Sequence, residues 1–484
     1  MNFVVKIFPE ITIKSKPVRQ RFVKQLRRNI RTLLRPIDPG IDVTGTWDKI
    51  IISTEQQDKQ VCRQIREQLQ HTPGICHILE VVDFPLVDLD DITEKAFQVM
   101  GEAIRGKTFC VRCQRNGHHE FSSIEVERYV GGGLLQRVQD CSVKLKNPDV
   151  TVRIEIHHKQ LYIVRERHLG IGGYPLGTQD AVLSLISGGF DSTVSSFLTM
   201  KRGVLTHFCF FNLGGHAHEI GVKEVAYYLW SKYGASHRVK FITVPFEGVV
   251  EEILTKVDNS YMGVLLKRMM LRAADKVAEN LDVHALVTGE AISQVSSQTL
   301  PNLGVINQAT DRLVLRPLIT MDKQDIIDTA ARIGTEEFAK HMPEYCGVIS
   351  VNPTTRAKPE KVSREEQVFD FAVLEQAINS ASAVNIHEVM QDDRQIHEVQ
   401  IDEVLPEQAI VIDIRHPDEE ENKPLELDHE VKTVPFYQLS RVFAELDRNQ
   451  HYYLYCEKGV MSQLHALHLL DEGYKNVKVY RPAK

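Results

Sequence analysis

The spacing of hydrophobic and polar residues predicts a strand followed closely by a helix at two distant places in the chain. Residues 181–186 form a short apolar run, and residues 193–200 continue with the spacing of a helix. Near the C-terminus, residues 451–455 are predicted as a strand and residues 462–470 as a helix. In both places only a short loop separates the strand from the helix.

Strands and helices alternate between residues 178 and 350 in the manner of a doubly wound parallel sheet, which binds ligands beyond the carboxyl ends of its strands. The glycine-rich residues 170–177 precede this region and are predicted to be a linker. After it, residues 351–403 are polar and helical in pattern, and we interpret them as a connector. With 484 residues, the chain has room for several domains.

Charge is divided unevenly along the chain, whose net charge is −7. Residues 1–35 contain ten Lys or Arg and a single acid, Glu10, whereas residues 388–430 are rich in acids. Five of the basic residues lie on one predicted amphipathic helix: Arg19, Lys24, Arg27, Arg28 and Arg31. A charged helix face is usually only solvated, but a basic end on an acidic chain also suits binding to nucleic-acid phosphates.

Composition also narrows the class of protein. No apolar run is long enough to cross a bilayer, and the N-terminus has no cleavable signal pattern. The eight cysteines are scattered and do not form a disulfide framework. We therefore expect a cytoplasmic protein without membrane association, whose cysteines are thiols unless catalysis oxidises them. The oligomeric state stays open, and a homodimer is compatible with the sequence.

The first loop runs from Ser187 to Ser192 and combines glycines with hydroxyl and carboxyl side chains where a helix begins. The first amides of a helix lack partners and carry the positive end of its dipole, so such a turn attracts anions. Gly188 and Gly189 would let the backbone approach a phosphate. Asp191 would repel phosphate unless a magnesium ion bridged the two groups, so we expect Asp191 to face that ion.

The second loop begins at Cys456, which directly follows the predicted strand over 451–455. The loop amides and the dipole of the next helix would stabilise a thiolate or a persulfide there and keep the sulfur nucleophilic. A lone cysteine is more often a buried apolar residue. Its position at the start of a strand-loop-helix unit favours a chemical role.

The two loops resemble those of known families. Ser187-Gly-Gly-Phe-Asp-Ser192 resembles the PP-loop of ATP pyrophosphatases, which split ATP between its alpha and beta phosphates and leave a substrate oxygen adenylated. The second loop has the pattern Cys-x-x-Gly-x-x-Ser of a rhodanese active loop. Residues 409–415 match the strand with Asp-x-Arg that opens rhodanese-like domains, and residues 476–480 would be the closing strand.

Residues 61–165 resemble a THUMP domain, an RNA-binding module of tRNA-modifying enzymes. A predicted strand and turn over 107–123, a helix over 124–130 and a period-two strand over 149–156 carry this resemblance. In that family the module holds the acceptor end of tRNA. The residues that we expect to contact phosphates are Arg112, Arg115, Lys144 and Lys146.

Taken in order, these motifs resemble the bacterial tRNA 4-thiouridine synthetases that end in a rhodanese domain, and the resemblance covers nearly the whole chain. Further stretches agree with that family: residues 212–215, 266–270, 286–291, 294–298, 316–318 and 343–347. The resemblance implies an α/β multidomain fold with a ferredoxin-like N-terminal domain (1–60), a THUMP domain (61–165), a doubly wound parallel-sheet PP-loop ATP pyrophosphatase domain (178–350), the helical connector (351–403) and a rhodanese-like α/β domain (404–482).

The resemblance also implies which residues bind ATP. Leu185 and Ile186 would offer backbone groups to adenine, and Gly289 would lie close to the nucleotide at the end of another strand. The other residues assigned to the ATP pocket are Ser187, Gly188, Gly189, Ser192, Lys267, Gln298 and Lys323. A lysine offsets triphosphate charge, and a glycine allows close approach. Isolated Lys and Gln are usually surface residues, so the family match carries these assignments.

By the same resemblance, the reaction is an ATP-dependent transfer of sulfur to a uridine of tRNA, at position eight in this family. Asp191 would support adenylation of O4 by ATP with Mg, while a cysteine desulfurase loads Cys456 as a persulfide. Sulfur would reach C4 directly, or as sulfide released by Cys346, and a Cys346–Cys456 disulfide would form. A cellular disulfide reductant would then reopen it. The family also passes sulfur to the thiamine sulfur-carrier protein.

Several other residues are given no function. Cys110 and Cys113 lack a second pair that would complete a zinc site, and His216 and His218 lack a third ligand and are expected to face solvent. We therefore predict no metal site formed by the protein alone. Three other functions stay open: a tRNA 2-thiouridine synthetase, an ATP pyrophosphatase that amidates or ligates a metabolite, and a noncatalytic RNA-binding sulfur carrier.

Overall fold

The computed structural model describes residues 2–45, 49–56, 58–213, 216–340, 342, 352–389, 399–415, 420–421, 423–457 and 460–482. The chain divides into two compact units. The first comprises Met1–Gln179, Lys201–Gly203 and Tyr233–His237, and the second comprises Asp180–Met200, Val204–Lys232 and Arg238–Lys484. Within the described ranges, no helix has the length and apolar character needed to cross a membrane.

The first unit is built on one eight-stranded sheet. Its strands are β1 (Asn2–Ile7), β2 (Asp42–Gly45), β3 (Lys49–Ser53), β4 (Ile75–Pro85), β5 (Thr108–Asn116), β6 (Ser142–Val143), β7 (Val150–His157) and β8 (Gln160–Leu169). Their order across the sheet is β2-β3-β1-β4-β8-β7-β5-β6. The helices of this unit are α1 (Pro9–Thr12), α2 (Lys16–Leu34), α3 (Lys59–Gln70), α4 (Leu89–Ile104) and α5 (Ser123–Arg137).

Two large hydrophobic cores lie along this single sheet, and a smaller one includes Val4, Leu79 and Val164. The first joins Phe3 on β1 and Leu26 on α2 to Ile65 and Leu69 on α3. The second joins α4 and α5 to β5, β7 and β8. Residues 61–78 were expected in the THUMP-like domain, but they pack with the N-terminal one because the apolar face of α3 finds its hydrophobic partners there. Strand β4 pairs with β1 on one side and with β8 on the other, so the sheet is continuous.

Helix α2 is amphipathic, as the sequence predicts. Its apolar side chains are buried in the first core, and none of its five basic residues named above is buried. Arg19 and Arg31 donate hydrogen bonds to backbone carbonyl oxygens at 3.1 and 2.8 Å. Lys24 and Arg28 are exposed. Two of the five basic residues thus also serve the fold, and at least two face solvent.

The second unit contains two sheets, of which the first has six strands. These are β9 (Gln179–Leu185), β10 (Val204–Asn212), β11 (Lys240–Pro245), β12 (Ala285–Val287), β13 (Leu313–Leu315) and β14 (Ser382–Asn385), in the order β13-β12-β9-β10-β11-β14. The pairings of β12 with β9 and β13, and of β10 with β11, are parallel. This confirms the predicted parallel sheet.

The helices around this sheet are α6 (Phe190–Lys201), α7 (His216–Leu229), α8 (Glu247–Lys256), α9 (Met262–Asn280), α10 (Leu300–Asn307), α11 (Lys323–Ile333), α12 (Glu336–Lys340), α13 (Pro359–Val368) and α14 (Phe371–Asn379). A π-helical turn (Trp230–Gly234) follows α7, and a 3-10 turn (Ser296–Gln298) precedes α10. We call β9–β14 and α6–α14 the central domain.

Most of the predicted connector belongs to the central domain. Its core buries Val362 of α13, Phe369 between the two helices and Leu374 of α14, and β14 pairs antiparallel with β11 as an edge strand. Helix α13 buries only Val362 and is otherwise mostly polar, which is why the sequence pattern resembles a solvated connector. A region assigned to link two domains therefore completes one of them.

The last sheet has five strands, all paired in parallel. They are β15 (Ile401–Asp402), β16 (Ile410–Asp413), β17 (Glu430–Thr433), β18 (Tyr452–Tyr455) and β19 (Val477–Tyr480), in the order β15-β19-β18-β16-β17. A 3-10 turn (Phe436–Gln438) and the helices α15 (Leu439–Ala444) and α16 (Val460–Asp471) complete what we call the C-terminal domain. Both predicted strand-loop-helix units are present, at β9–α6 and at β18–α16.

Candidate nucleotide site and terminal thiol

The loop between β9 and α6 is held in shape by the side chain of Ser192. Its hydroxyl accepts hydrogen bonds from the amide and the hydroxyl of Ser187, both at 3.1 Å, and donates one to the Gly189 carbonyl at 3.2 Å. Gly188 has a φ of +82°, a left-handed conformation that favours glycine. The loop is therefore preformed at the N-terminus of α6, where anions bind well.

Met342 packs against this loop. A Cβ atom on Gly188 would lie 2.5 Å from the Cε atom of Met342, and one on Gly221 of α7 would lie 3.0 Å from the same atom. The absence of side chains at both glycines thus makes room for the methionine. Cys346, which follows Met342 by four residues in the sequence, lies outside the described residues.

Asp191 lies in the first turn of α6 and is paired with two side chains from distant parts of the chain. The Lys323 ammonium, at the start of α11, donates to its two carboxylate oxygens at 2.9 and 3.1 Å. Gln294 donates to it at 2.7 Å. Asp191 and Lys323, both predicted as site residues, are thus brought together. Gln294 was not predicted as a site residue, although it lies in one of the stretches that resemble the family. Because Lys323 is 45% exposed, the ion pair is screened by water and contributes little stability.

A buried carboxylate, Glu290, organises the other cations at this edge of the sheet. Arg316 donates to it at 2.8 Å, Thr288 at 3.0 Å, and the Lys267 ammonium lies 3.5 Å away. Burial alone would raise the pKa of Glu290, but the charges of Lys267 and Arg316 hold that pKa below its ordinary value. Glu290 and Arg316 lie in stretches quoted for the family resemblance, yet nothing in the sequence showed that they pair.

Three residues assigned to the ATP pocket have defined places in the fold. Leu185 is the last residue of β9. The buried Ile186 donates its amide hydrogen to the Cys209 carbonyl at 2.9 Å, and the side-chain carbonyl of the buried Gln298 accepts from the Ala291 amide at 3.3 Å. These contacts hold the domain together, and direct contact of these residues with a nucleotide stays a prediction.

Replacing Gly289 with alanine is expected to destabilise the protein by about 1–3 kcal/mol, because the site has no room for a methyl group. The new Cβ would lie 2.6 Å from the carbonyl carbon of Asp191 and 2.8 Å from the amide nitrogen of Ser192. Chemical denaturation would measure the loss. Gly304→Ala on α10 is the matched control, since its Cβ would meet nothing within 4 Å. Equal free energies of unfolding for the two variants would show that the backbone of residues 191 and 192 shifts without cost to make room for the methyl group.

The terminal thiol of Cys456 lies directly after β18, as predicted. Its sulfur accepts a hydrogen bond from the Ser462 amide at 3.3 Å, and the Ser462 hydroxyl lies 3.4 Å away. Ser462 is in the first turn of α16, and Cys456 is buried. The sulfur therefore faces the positive end of a helix, an environment that stabilises a thiolate or a persulfide anion.

A fully buried ion pair fixes the strand ends beneath this thiol. Arg415 donates to both carboxylate oxygens of Asp413 at distances between 2.5 and 3.1 Å. Its guanidinium also lies 5.3 Å from the ring centre of Tyr455, the residue before Cys456. The Asp-x-Arg pattern noted in the sequence thus positions the strand that carries the cysteine.

The basic residues predicted to contact RNA phosphates all lie in the first unit. Arg112 donates to a backbone carbonyl oxygen at 3.0 Å, and Arg115 lies 2.9 Å from the Nδ1 atom of His119. Lys144 and Lys146 are exposed. The two arginines therefore have partners within the protein, whereas the side chains of the two lysines are exposed, and contact of any of the four with RNA stays a prediction.

Two expectations about residues without a function have different outcomes. Cys110 is buried on β5, and burial is the main cause that raises the pKa of Cys113 to about 11, so that thiol stays neutral at physiological pH. His218 was expected to face solvent, but it is buried in α7 with its Nε2 atom 3.1 Å from the Ser187 carbonyl oxygen. This contact ties α7 to the loop between β9 and α6. The side chain of His216, which was also expected to face solvent, lies outside the described residues.

Four stretches of the chain match known families. Residues 3–78 match the ThiI ferredoxin-like domain, 87–165 the THUMP domain, 177–371 the family described as Thiamine biosynthesis protein (ThiI), and 398–482 the rhodanese-like domain. The first match ends at residue 78, and every buried residue of the first core except Tyr174 lies within it.

Relatives match the whole chain. It is 60% identical over 486 residues to a tRNA sulfurtransferase of Azotobacter vinelandii and 58% identical to one of Pseudomonas putida, and each alignment covers both chains completely. Among solved structures, a 4-thiouridine synthetase in complex with RNA and bound ATP is 27% identical with a TM-score of 0.69, over 79% of this chain and 99% of that one. PH1313 from Pyrococcus horikoshii shares the fold at 22% identity and a TM-score of 0.53, over 69% of this chain and all of that one.

Proposed function

Because the chain belongs to the tRNA sulfurtransferase family, we propose that it converts a uridine of tRNA to 4-thiouridine, using ATP and a sulfur atom carried by Cys456. The observation that carries this proposal is the presence in one chain of a preformed phosphate loop closed by Ser192 and a thiol cradled by a helix N-terminus. By family resemblance the uridine is at position eight.

The first half-reaction would activate the base. Uracil O4 attacks the alpha phosphorus of ATP, pyrophosphate leaves, and the N3 proton is lost, so that AMP becomes the leaving group at C4. The loop amides and the N-terminus of α6, with Lys323 and Lys267 nearby, would stabilise the phosphate charge that develops. Glu290 supports this step indirectly, because it holds Lys267 and Arg316 at the sheet edge before any nucleotide binds.

Magnesium fits this site through Asp191. A single carboxylate that shares the ion with phosphate oxygens and water is the donor set that Mg²⁺ prefers. The ion would neutralise phosphate charge next to a carboxylate that otherwise repels it. Lys323, which is paired with Asp191, would then be available to the phosphates.

The second half-reaction would deliver sulfur. A cysteine desulfurase transfers a sulfur atom to Cys456, and the terminal persulfide sulfur attacks C4 as AMP leaves. The Cys346 thiolate then attacks the Cys456 sulfur, releasing 4-thiouridine and leaving a Cys346–Cys456 disulfide. In the other order, Cys346 attacks the persulfide first and the released sulfide attacks C4. Both routes give the same products, and a cellular dithiol supplies the two electrons that reopen the disulfide.

The role of Cys346 is supported by the position of Met342. That residue rests on Gly188 of the phosphate loop, and four residues of extended chain span at most roughly 14 Å. A thiol tethered this closely to the loop can meet a uridine whose O4 is being adenylated there. The alternative of a noncatalytic carrier gives no reason for that proximity.

The first unit would bind the tRNA. Exposed Lys24 and Arg28 on α2, and exposed Lys144 and Lys146 near β6, are the basic side chains best placed to meet phosphates. Binding of this kind weakens as salt rises, because phosphate contacts release counterions.

A second acceptor for the same sulfur is the thiamine sulfur-carrier protein. The description Thiamine biosynthesis protein for the family that matches residues 177–371 favours it. The adenylated carrier would take sulfur from Cys456 as the adenylated uridine does. A host that lacks its own copy of this enzyme would test this role. The unaltered chain should let that host grow without added thiazole, and Cys456→Ser should not.

We expect ATP-dependent pyrophosphate release that tRNA stimulates, and loss of 4-thiouridine alone from the tRNA of cells without this gene. Nucleoside analysis by mass spectrometry identifies the product. Loss of 2-thiouridine instead would establish the nearest alternative. Pyrophosphate release stimulated by a small metabolite, with tRNA inert, would contradict the proposal and favour an amidating or ligating enzyme.

A further inference from the structure

The central and C-terminal domains belong to the same compact unit, and among the described residues they meet at a contact with defined chemistry. The Glu224 carboxylate on α7 lies 2.8 Å from the Nε2 atom of His465 on α16. Phe338 on α12 and Phe436 of the C-terminal domain pack with ring centres 4.6 Å apart. All four side chains are buried. Two pairs of side chains thus connect the two domains.

These pairs form one closed cluster. Tyr228 lies one turn after Glu224 on α7 and packs on Phe338 with ring centres 5.2 Å apart. The ring centres of Phe436 and His465 are 6.0 Å apart. We call Glu224, Tyr228, Phe338, Phe436 and His465 the docking cluster. The Glu224 and His465 atoms lie at ion-pair distance although they are not aligned as a hydrogen bond. Burying either group away from a partner is costly, so this contact favours the observed arrangement of the two domains.

The docking cluster lies next to the sulfur site. His465 is on α16, the helix whose Ser462 amide donates to the Cys456 sulfur. Tyr227 precedes Tyr228 on α7, and its pKa is raised by burial and, to a lesser extent, by negative charge at Cys456. The helix that cradles the sulfur is therefore the helix that touches the central domain.

On its other side, the cluster includes Phe338, which lies close in sequence to a residue that packs on the phosphate loop between β9 and α6. Phe338 lies on α12, which ends at Lys340, two residues before Met342. Met342 rests on Gly188 of the phosphate loop and on Gly221 of α7. The contact thus joins the helix beside the Cys456 sulfur to α12, which ends two residues before Met342.

We propose that the docking cluster seats the C-terminal domain for sulfur transfer, with Glu224, Phe338, Phe436 and His465 as positioning residues that bring the Cys456 sulfur to the adenylated base. The inference rests on the proposed function, in which Cys456 carries the sulfur. It adds that transfer depends on this contact, whereas loading of Cys456 and adenylation of the base do not.

The test measures three steps in the full-length protein: persulfide on Cys456 after treatment with a cysteine desulfurase and cysteine, tRNA-stimulated pyrophosphate release, and 4-thiouridine formed in one turnover. We expect Glu224→Ala and His465→Ala to leave the first two within about twofold and to slow the third roughly ten- to a hundredfold, as expected when reacting groups are misplaced. Asp402→Asn is the matched control, because it weakens the Asp402–Lys478 pair within the C-terminal domain and should leave all three steps unchanged.

The exchanged pair Glu224→His with His465→Glu should restore part of the lost transfer, which a merely unfolded variant cannot do. Normal or faster transfer by the single variants, with Cys456 fully loaded, would overturn the docking proposal alone and show a resting arrangement that must open. Failure of the unaltered protein to load Cys456 would overturn the proposed function and this inference with it.

Discussion

Replacing Cys456 with serine is expected to lower 4-thiouridine formation by a factor of about a thousand or more, because an oxygen in place of the sulfur cannot hold a persulfide. The fold should survive, since the serine hydroxyl can accept the hydrogen bond from Ser462. Pyrophosphate release stimulated by tRNA should stay within about twofold of the unaltered protein, because adenylation does not use this thiol. Nucleoside analysis after a single turnover, run beside a pyrophosphate assay, gives both values.

Cys76→Ser in the first unit is the matched control, since Cys76 is a half-buried thiol outside both sites. It should behave as the unaltered protein in both assays. If Cys456→Ser thiolates tRNA at a normal rate with desulfurase and cysteine as the sulfur source, the sulfur reaches the base by another route.

Replacing Asp191 with alanine is expected to lower tRNA-stimulated pyrophosphate release by a factor of roughly a hundred to a thousand, the usual loss when a group that stabilises developing charge is removed. The variant also frees Lys323 and Gln294 from their common partner. Loading of sulfur on Cys456 should be unchanged. Asp328→Ala, on the exposed side of α11, is the control carboxylate.

A titration with magnesium separates the two roles that Asp191 could have. If the carboxylate holds the ion, the activity of Asp191→Asn should recover in part as magnesium rises. If it only restrains Lys323, the same variant should show no such dependence. Full pyrophosphate release by Asp191→Ala at ordinary magnesium would contradict a part for this carboxylate in adenylation.

The two strand-loop-helix sites could be read from the sequence because their signals are local. The apolar run over 181–186 corresponds to β9 (Gln179–Leu185), and the strand expected before Cys456 is β18 (Tyr452–Tyr455). Glycines, a following helical pattern and a few polar side chains define such loops without reference to distant residues. The family matches confirm the multidomain α/β fold that the motifs implied.

What the sequence did not show depends on contacts between distant residues. Asp191 and Lys323 are 132 residues apart and meet only in the folded sheet. The burial of Val362 and Leu374 depends on the central core, and β14 is recognised as a strand only by its pairing with β11. The pKa of the buried Glu290 is kept low by Lys267 and Arg316. Both cations are more than twenty residues away in the sequence, so the residues next to Glu290 do not reveal this pairing.

The continuous sheet of the first unit has a consequence for substrate selection. Strand β4 pairs with both β1 and β8 in this sheet, and α2 packs on the first core, so α2 and β6, which ends just before Lys144, are held at a fixed separation. An RNA that contacts both places must present phosphates at a fixed separation. Choice among RNAs would then rest on length and curvature more than on base identity, and inserting one base pair between the two contacts should exclude an otherwise suitable molecule.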